Sequence, residues 1–486
     1  MRSDDSDTMQ NQPETGGDDS PSQEIVHPSP NSHDSIMDDS DTEDVQQYGK
    51  GGHHPVRLGD MLNERFKVIH KLGSGGFGIV WFCRDVAEEK WRAVKIATAQ
   101  HSSASREVEV FGRLRERASA EQLEANHIAA PLEMFWIEGP NGRHLCLVMP
   151  VLGGPAHYWR WLLDTSKEQS AARIRRVCAQ MARAVGFLHR HGVCHGDIKP
   201  GNMMMRLDGL DEMDEGQVVA LLGKPRRRRV VLRTGESVRP GMTTSPGVPR
   251  HLVVPVRMDW CRRLLSDSVA VVDFGGSYFA GAAPEDNDYT VAYAAPEVLL
   301  WGSGDCGPHS DVWSLACTIF QIRHGPALFP SLDEPEVPYD VLDLEIMLGP
   351  LPEPFRTARR RAIAALLAKE YPDHNFEGIE LRDDKMTDLD PTMCTRAELL
   401  AEINRIIGSE YSTVMEAVLD RRRKNRPRVT DVSSGSTDDG KRVPEVYCLT
   451  WEEVVQLSAL LQKMLRYNPS ERITMEEVLR DPWISS

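Results

Sequence analysis

The stretch "CHGDIKPGN", residues 194–202, decides how the rest of the chain is read. Asp197, Lys199 and Asn202 stand at spacings that suit phosphoryl transfer. An aspartate can accept or orient the proton of an attacking hydroxyl. A lysine two residues on can neutralise charge on the transferred group, and an asparagine five residues on can ligate a magnesium ion. Such catalysis is mainly positioning and electrostatics, so the three groups carry weight only if other phosphate-binding elements flank them.

They do, on both sides. Upstream, "GSGGFGIV" (73–80) places Gly73, Gly75, Gly78 and Val80 in a G-x-G-x-x-G-x-V pattern, whose glycines let backbone approach phosphates closely. Dinucleotide folds use nearly the same string, but there a helix follows it, whereas here a β-rich run does. Lys95, in "AVK" fifteen residues after Val80, ends an apolar strand and is placed to hold α- and β-phosphates. It needs an acidic partner, and Glu107 is the best candidate. Downstream, "VVDFGG" brings Asp273 to a strand end before a glycine pair, a second magnesium ligand. "YAAPE" closes the segment at Glu297, a candidate partner for Arg472 in a buried anchoring pair. Asp311 is expected to tie the catalytic loop to a central helix.

Around these motifs the pattern divides in two. "FKVIHKLG", "GIVWFCRD", "WRAVKIA", "LEMFWIEG" and "HLCLVMP" read as strands, with "SASREVEVFGRLRERA" as a helix among them. Beyond about residue 170 the signal is helical: Ile174, Val177, Cys178, Met181, Val185 and Leu188 form one apolar stripe. "HSDVWSLACTIFQIRHG" and "WEEVVQLSALLQKML" are further helices. The expected fold is α+β and bilobal, with an N-lobe over 48–152 and a mostly helical C-lobe over 153–486. Two stretches interrupt the C-lobe. Residues 207–267 contain "KPRRRR"; residues 356–447 open on "RTARRRAIAALLAKE" and include "RRRKNRPR". Both basic clusters read as solvated charge, with nuclear import or nucleic-acid contact as the alternative.

Composition sets the outer bounds. The net charge of −16 is concentrated at the start, where residues 1–50 hold thirteen acids against Arg2 and Lys50. Residues 1–47, rich in Ser, Asp, Pro and Asn, read as a disordered acidic tail. "SIMD" and "SDTE" within it also fit sites for an acid-directed kinase. No apolar run is long enough to span a bilayer, and the start lacks a secretory h-region. Nine scattered cysteines without a C-x-x-C pair point to a reducing compartment.

Over roughly residues 60–486 the chain resembles a eukaryotic protein kinase. Lys199, two after the aspartate, and Thr290, seven before Glu297, resemble the serine/threonine-specific pattern, in which that threonine bonds to the catalytic aspartate and lysine. More narrowly, it resembles the SR-protein kinases, which phosphorylate serines in Arg/Ser-repeat splicing factors. The lead-in "YGKGGHHPVRLGDMLNERFKVIHKLGSGGFGIVW", the loop "HGDIKPGN", the spacer between Asn202 and Asp273, and "DVWSLACTIFQIRHGPALF" with "DLEIMLGPLP" carry this likeness.

The resemblance implies ATP and Mg2+ as cofactors and an adenine site built from Leu72, Ala93, the gatekeeper Met149 and Leu152 in "LVMPVLGG". It also explains Gly196. Most kinases place an arginine there that pairs with a phosphate on the activation segment. Its absence implies a kinase active without that phosphorylation. Basic or Arg/Ser-rich protein segments are the expected partners, with no membrane and no direct nucleic-acid binding. The acidic run 333–345, "DEPEVPYDVLDLE", is a candidate dock for them. The expected location is the cytoplasm, with the nucleus as a second compartment. A pseudokinase scaffold and a small-molecule phosphotransferase are the competing readings; "APE" and "DVW" build a peptide platform that the latter lacks.

Overall fold

The computed structural model describes residues 25–26, 42–158, 167–232, 247–257, 259–283, 289–302, 306–325, 327–329, 341, 344–345, 348–370 and 451–485. The expectations for most of the acidic tail, for 333–340 and 342–343, and for 371–447 lie outside the described residues.

Six antiparallel strands make the N-lobe sheet: β1 (Met61–Leu62), β2 (Phe66–Gly75), β3 (Gly78–Asp85), β4 (Lys90–Ala97), β5 (Glu133–Gly139) and β6 (Gly142–Pro150), in the order β1-β2-β3-β4-β6-β5. Only β5 leaves the sequence order, because helix α1 (Arg106–Arg115) intervenes before the β5–β6 hairpin. Ser105 caps α1 by accepting the Val108 N–H, a short polar side chain satisfying an end the helix leaves open. In the C-lobe the long helix α2 (Lys167–Arg190) runs beside α5 (Pro308–His324). All six residues of its predicted stripe are buried in one apolar core with Trp313, Leu315, Phe320, Leu460 and Trp483. Strand β7 (Met203–Leu207) pairs with β10 (Leu265–Val271) under the cleft, in the register Met203↔Val271 and Met205↔Val269. Helices α4 (Pro296–Trp301), α6 (Phe355–Glu370), α7 (Trp451–Met464) and α8 (Met475–Arg480) complete the lobe.

The stretch between β7 and β10 folds against the N-lobe. It contains α3 (Glu215–Leu222) and a ribbon of β8 (Arg227–Arg229) and β9 (His251–Val253). Trp91 on β4 donates its backbone N–H to Asp211 at 2.8 Å and its indole N–H to the Met213 carbonyl at 3.1 Å. Val256 donates its N–H to the Lys71 carbonyl on β2, and Trp260 meets Phe82 edge-on at 5.6 Å. Val230, Leu252 and Val253 cover the outer face of the sheet beside Phe66, Val68 and Trp81. That face is apolar, and an apolar sheet face left in water would forfeit the burial that stabilises it.

The tail boundary at 47 falls inside packed structure. Residues Val45–Gln47 form a 3-10 turn capped by Asp44, and Val45 and Tyr48 join the same outer-face cluster. Glu43 forms a buried ion pair with Lys71 and accepts the Tyr48 hydroxyl. Composition alone gave 42–47 to the tail; Lys71, buried on β2, needs a counter-ion, and Glu43 supplies it.

Candidate active site

The cleft between the lobes gathers the motif residues. Lys95, on β4, donates to Glu107 Oε2 at 2.8 Å and to Asp273 Oδ1 at 3.0 Å. Burial opposes the charge on Lys95, but Glu107 and Asp273 outweigh it and hold its pKa above the ordinary lysine value. The Lys95 ammonium in turn holds the Asp273 carboxyl below the usual carboxylate range, against the cost of its burial. Both groups are therefore charged at neutral pH. Asp273 sits at a left-handed φ of +63°, and the following Phe274 is fully buried, meeting Phe111 of α1 at 4.7 Å and His195 at 5.1 Å. This packing ties the helix that carries Glu107 to the segment that carries Asp273.

On the opposite wall Asp197 is held from three sides. Lys199 Nζ lies 2.6 Å from its Oδ2, the Thr290 hydroxyl donates to its Oδ1 at 3.0 Å, and Asn202 Nδ2 donates to its Oδ2 at 3.1 Å and its carbonyl at 2.8 Å. Lys199 also donates to Thr290 Oγ1 at 2.9 Å. The triangle of Asp197, Lys199 and Thr290 joins the catalytic loop to the activation segment 93 residues further along the chain.

The loop is anchored from below by Asp311 on α5. Its carboxylate accepts the backbone N–H groups of His195 and Gly196 and the His189 Nε2–H. Burial opposes the charge on Asp311, but the bond from His189, then the neighbouring His195 and the Gly196 N–H, hold its carboxyl below the ordinary value. Glu297 and Arg472 form the anchoring pair, two bonds of 2.6 and 2.5 Å with both side chains buried.

The residues expected to hold the nucleotide fall along one apolar surface. Leu72, Val80, Ala93, Met149 and Leu152 belong to a single cluster with Leu145, Leu147 and Ala270. At Gly73 and Gly75 an added Cβ would meet nothing within 4 Å, so the loop presents open backbone. At Gly78 it would strike the Ile96 carbonyl at 2.4 Å, so this glycine is set by strand packing.

These residues fit ATP with magnesium. Asp273 and the Asn202 amide oxygen, whose Nδ2 is engaged by Asp197, are hard oxygen donors of the kind magnesium takes. Lys95 offers a charged donor beside them, and bound magnesium would neutralise charge on the phosphates.

Sequence reasoning missed His195. Its Nε2–H donates to the Val272 carbonyl at 3.1 Å and its Nδ1 accepts the Asp197 N–H at 3.3 Å, linking the catalytic loop to the strand end before Asp273. The only signal was its position two residues before Asp197. One expectation is corrected. Glu345, counted in the acidic dock, forms an ion pair with Arg359 of α6 and accepts the Leu351 N–H at 3.0 Å. The acidic run holds no base of its own, but the fold brings one from α6.

Comparison with known proteins agrees with this geometry. The protein kinase domain family matches residues 66–212 and 264–484, leaving out the stretch that folds onto the N-lobe. Serine/threonine-protein kinase SRPK of Physarum polycephalum is 27% identical over 465 residues, 92% of each chain. Serine/threonine-protein kinase spk-1 of Caenorhabditis elegans is 32% identical over 175 residues, 35% of this chain and 17% of the nematode protein. SRSF protein kinase 3 of Homo sapiens is 31% identical over 173 residues, 35% of this chain and 30% of the human protein. The match thus spans less than a third of the last two. A crystallised kinase domain shares the fold with a TM-score of 0.50 at 17% identity, covering 89% of this chain and 98% of its own. The chain belongs to the protein kinase family, and its curated relatives are serine/threonine kinases of the SRPK type.

Proposed function

We propose that the protein transfers the γ-phosphate of Mg-ATP to serine hydroxyls in Arg/Ser-rich or other basic protein segments. The observation that carries this is the triangle of Asp197, Lys199 and Thr290, assembled opposite the Lys95–Glu107 pair. Asp197 orients the attacking hydroxyl and takes its proton as the new O–P bond forms and the bond to the departing diphosphate breaks. Lys199 neutralises charge that develops on the transferred group, and Lys95 fixes the remaining phosphates. The name SRSF protein kinase among the relatives supports the basic substrate class.

Activity without activation-segment phosphorylation is part of the same reading. Gly196 has no side chain to pair with a phosphate, while the unmodified Thr290 hydroxyl itself bonds Asp197 and Lys199. Transfer from Mg-ATP to an Arg/Ser-repeat protein tests the reading, with Asp197→Asn as control and a basic protein lacking such repeats for comparison. Transfer by the native chain, lost in the control and kept after phosphatase treatment, is the expected result. No transfer to any substrate would favour a scaffold. Activity abolished by phosphatase and traced to Tyr289 or Thr290 would overturn the activation claim alone.

A further inference from the structure

The ribbon on the outer face of the N-lobe is a concentrated positive surface on an acidic protein. Lys224, Arg226, Arg227 and Arg229 are exposed along the approach to β8 and on it, and His251 at the start of β9 and Arg250 just before it are exposed beside them. The register sets Arg229 directly across from His251. Among the described residues no carboxylate lies within ion-pair distance of Lys224, Arg227, Arg229 or Arg250. The histidine reports the local field: partial burial, then Arg227, Arg229 and Arg250, keep it below its ordinary pKa. Like charges held this close on paired strands repel one another, and an opposing polyanion relieves that cost.

The chain carries such a polyanion at its own start. Residues 1–41 contain eleven acids against the single base Arg2. Three observations direct it to this ribbon. The segment enters the described fold at residue 42, and the next residue, Glu43, pairs with Lys71. Lys71 in turn accepts, through its carbonyl, the N–H of Val256, three residues beyond β9. Within the segment, Ile25 and Val26 pair antiparallel with Leu232 and Val231, which lie three and two residues beyond the end of β8.

We propose that the basic ribbon around Arg227, Arg229 and Arg250 is the docking surface for the chain's own acidic amino-terminal segment, residues 1–41. The contact goes beyond phosphoryl transfer and stands independently of it. Its strength falls with salt, because the charges involved are exposed. A phosphate added at Ser35 or Ser40, within the acid-flanked motifs, adds charge of the sign that tightens it.

The test uses the full-length chain and a glutamate-specific protease, which cuts the segment at Glu14 and Glu24. At about 0.01 M salt, where screening reaches ~30 Å, cleavage is expected to be roughly five-fold or more slower than in the free peptide 1–41. At about 1 M salt, where screening shortens to ~3 Å, the two rates should converge. The triple change Arg227→Glu, Arg229→Glu and Arg250→Glu should remove the protection with the melting temperature kept. Reversing Asp18, Asp19, Asp34 and Asp38 to lysine in that background should restore it. Should the triple variant fail to fold, the salt dependence of the native chain decides alone. Equal cleavage of chain and peptide at low salt overturns the proposal. So does tight retention of a single-stranded oligonucleotide by the native chain at ~0.15 M salt that the triple variant loses, because the ribbon then serves nucleic acid.

Discussion

Gly196 donates its backbone N–H to Asp311 Oδ1 at 3.0 Å from a φ of +80°. The catalytic loop thus hangs from a buried carboxylate through a conformation that glycine adopts freely and other residues enter at a cost of about 1–2 kcal/mol. Gly196→Ala should lower stability by that amount in urea titration. It should reduce kcat for phosphate transfer while nucleotide affinity holds, since Lys95 and the glycine loop lie elsewhere. A neutral outcome on both would remove the role assigned to this backbone.

The two walls of the cleft make separable demands. Asp197→Asn should cut transfer by about 10²- to 10⁴-fold, the range for a lost general base. Thr290→Ala removes one hydrogen bond to that aspartate and one from Lys199 and should cost roughly ten-fold, the effect of about 1.4 kcal/mol. Steady-state rates at saturating Mg-ATP give the comparison; equal losses would mean that Thr290 does more than position the aspartate.

Arg472→Ala leaves the Glu297 carboxylate buried without its partner, which should cost about 3–5 kcal/mol. The pairing Glu297→Leu with Arg472→Met should recover much of that loss in chemical denaturation. A double variant as unstable as the single one would show that the surrounding carbonyls, among them Tyr467 and His309, depend on the guanidinium.

Trp260 packs on Phe82 in the same apolar cluster that holds Ala93 and Met149. Trp260→Ala should destabilise the protein by about 3–5 kcal/mol and raise the KM for ATP. Calorimetry together with nucleotide titration checks both. An unchanged KM would show that the stretch onto the N-lobe supports the fold without shaping the nucleotide site.

Acid should weaken the lead-in segment. Burial, then the nearby His144, lowers the pKa of His54 to about 4 although Asp60 opposes the shift, and the two rings meet at 4.9 Å. Burial also lowers His53 and His144. Since the folded pKa lies below the unfolded value of about 6.5, the unfolded chain binds more protons between them. The stability this site contributes is complete above about pH 6.5 and declines as pH falls toward 4. The urea midpoint should drop over that window, and less steeply in His54→Gln; identical slopes would clear this histidine.

The candidate site was legible because its signals are local. Lys95, Asp197, Lys199, Asn202 and Asp273 each lie in a short string whose glycines, strand ends and spacings are set by neighbours along the chain. The apolar stripe on α2 was legible for the same reason, since a period of 3.6 is written within one helix. Glu345 was misread because nothing near it in sequence announces Arg359. The stretch before β10 read as an interruption of the C-lobe because its apolar residues are spaced to fit the sheet of another lobe and match no period of their own.

By itself, then, the sequence determined the two-lobed fold, the order of the motifs and the identity of the residues that face the cleft. Tertiary structure alone decided which acids are free and which are spoken for, how Glu43 and Lys71 bury each other, and that the outer face of the N-lobe sheet is covered. The physical reason is common to all three. Charge pairing and apolar burial depend on distance in space, and residues as far apart as Glu43, Lys71 and Val256 become neighbours only when the chain closes on itself.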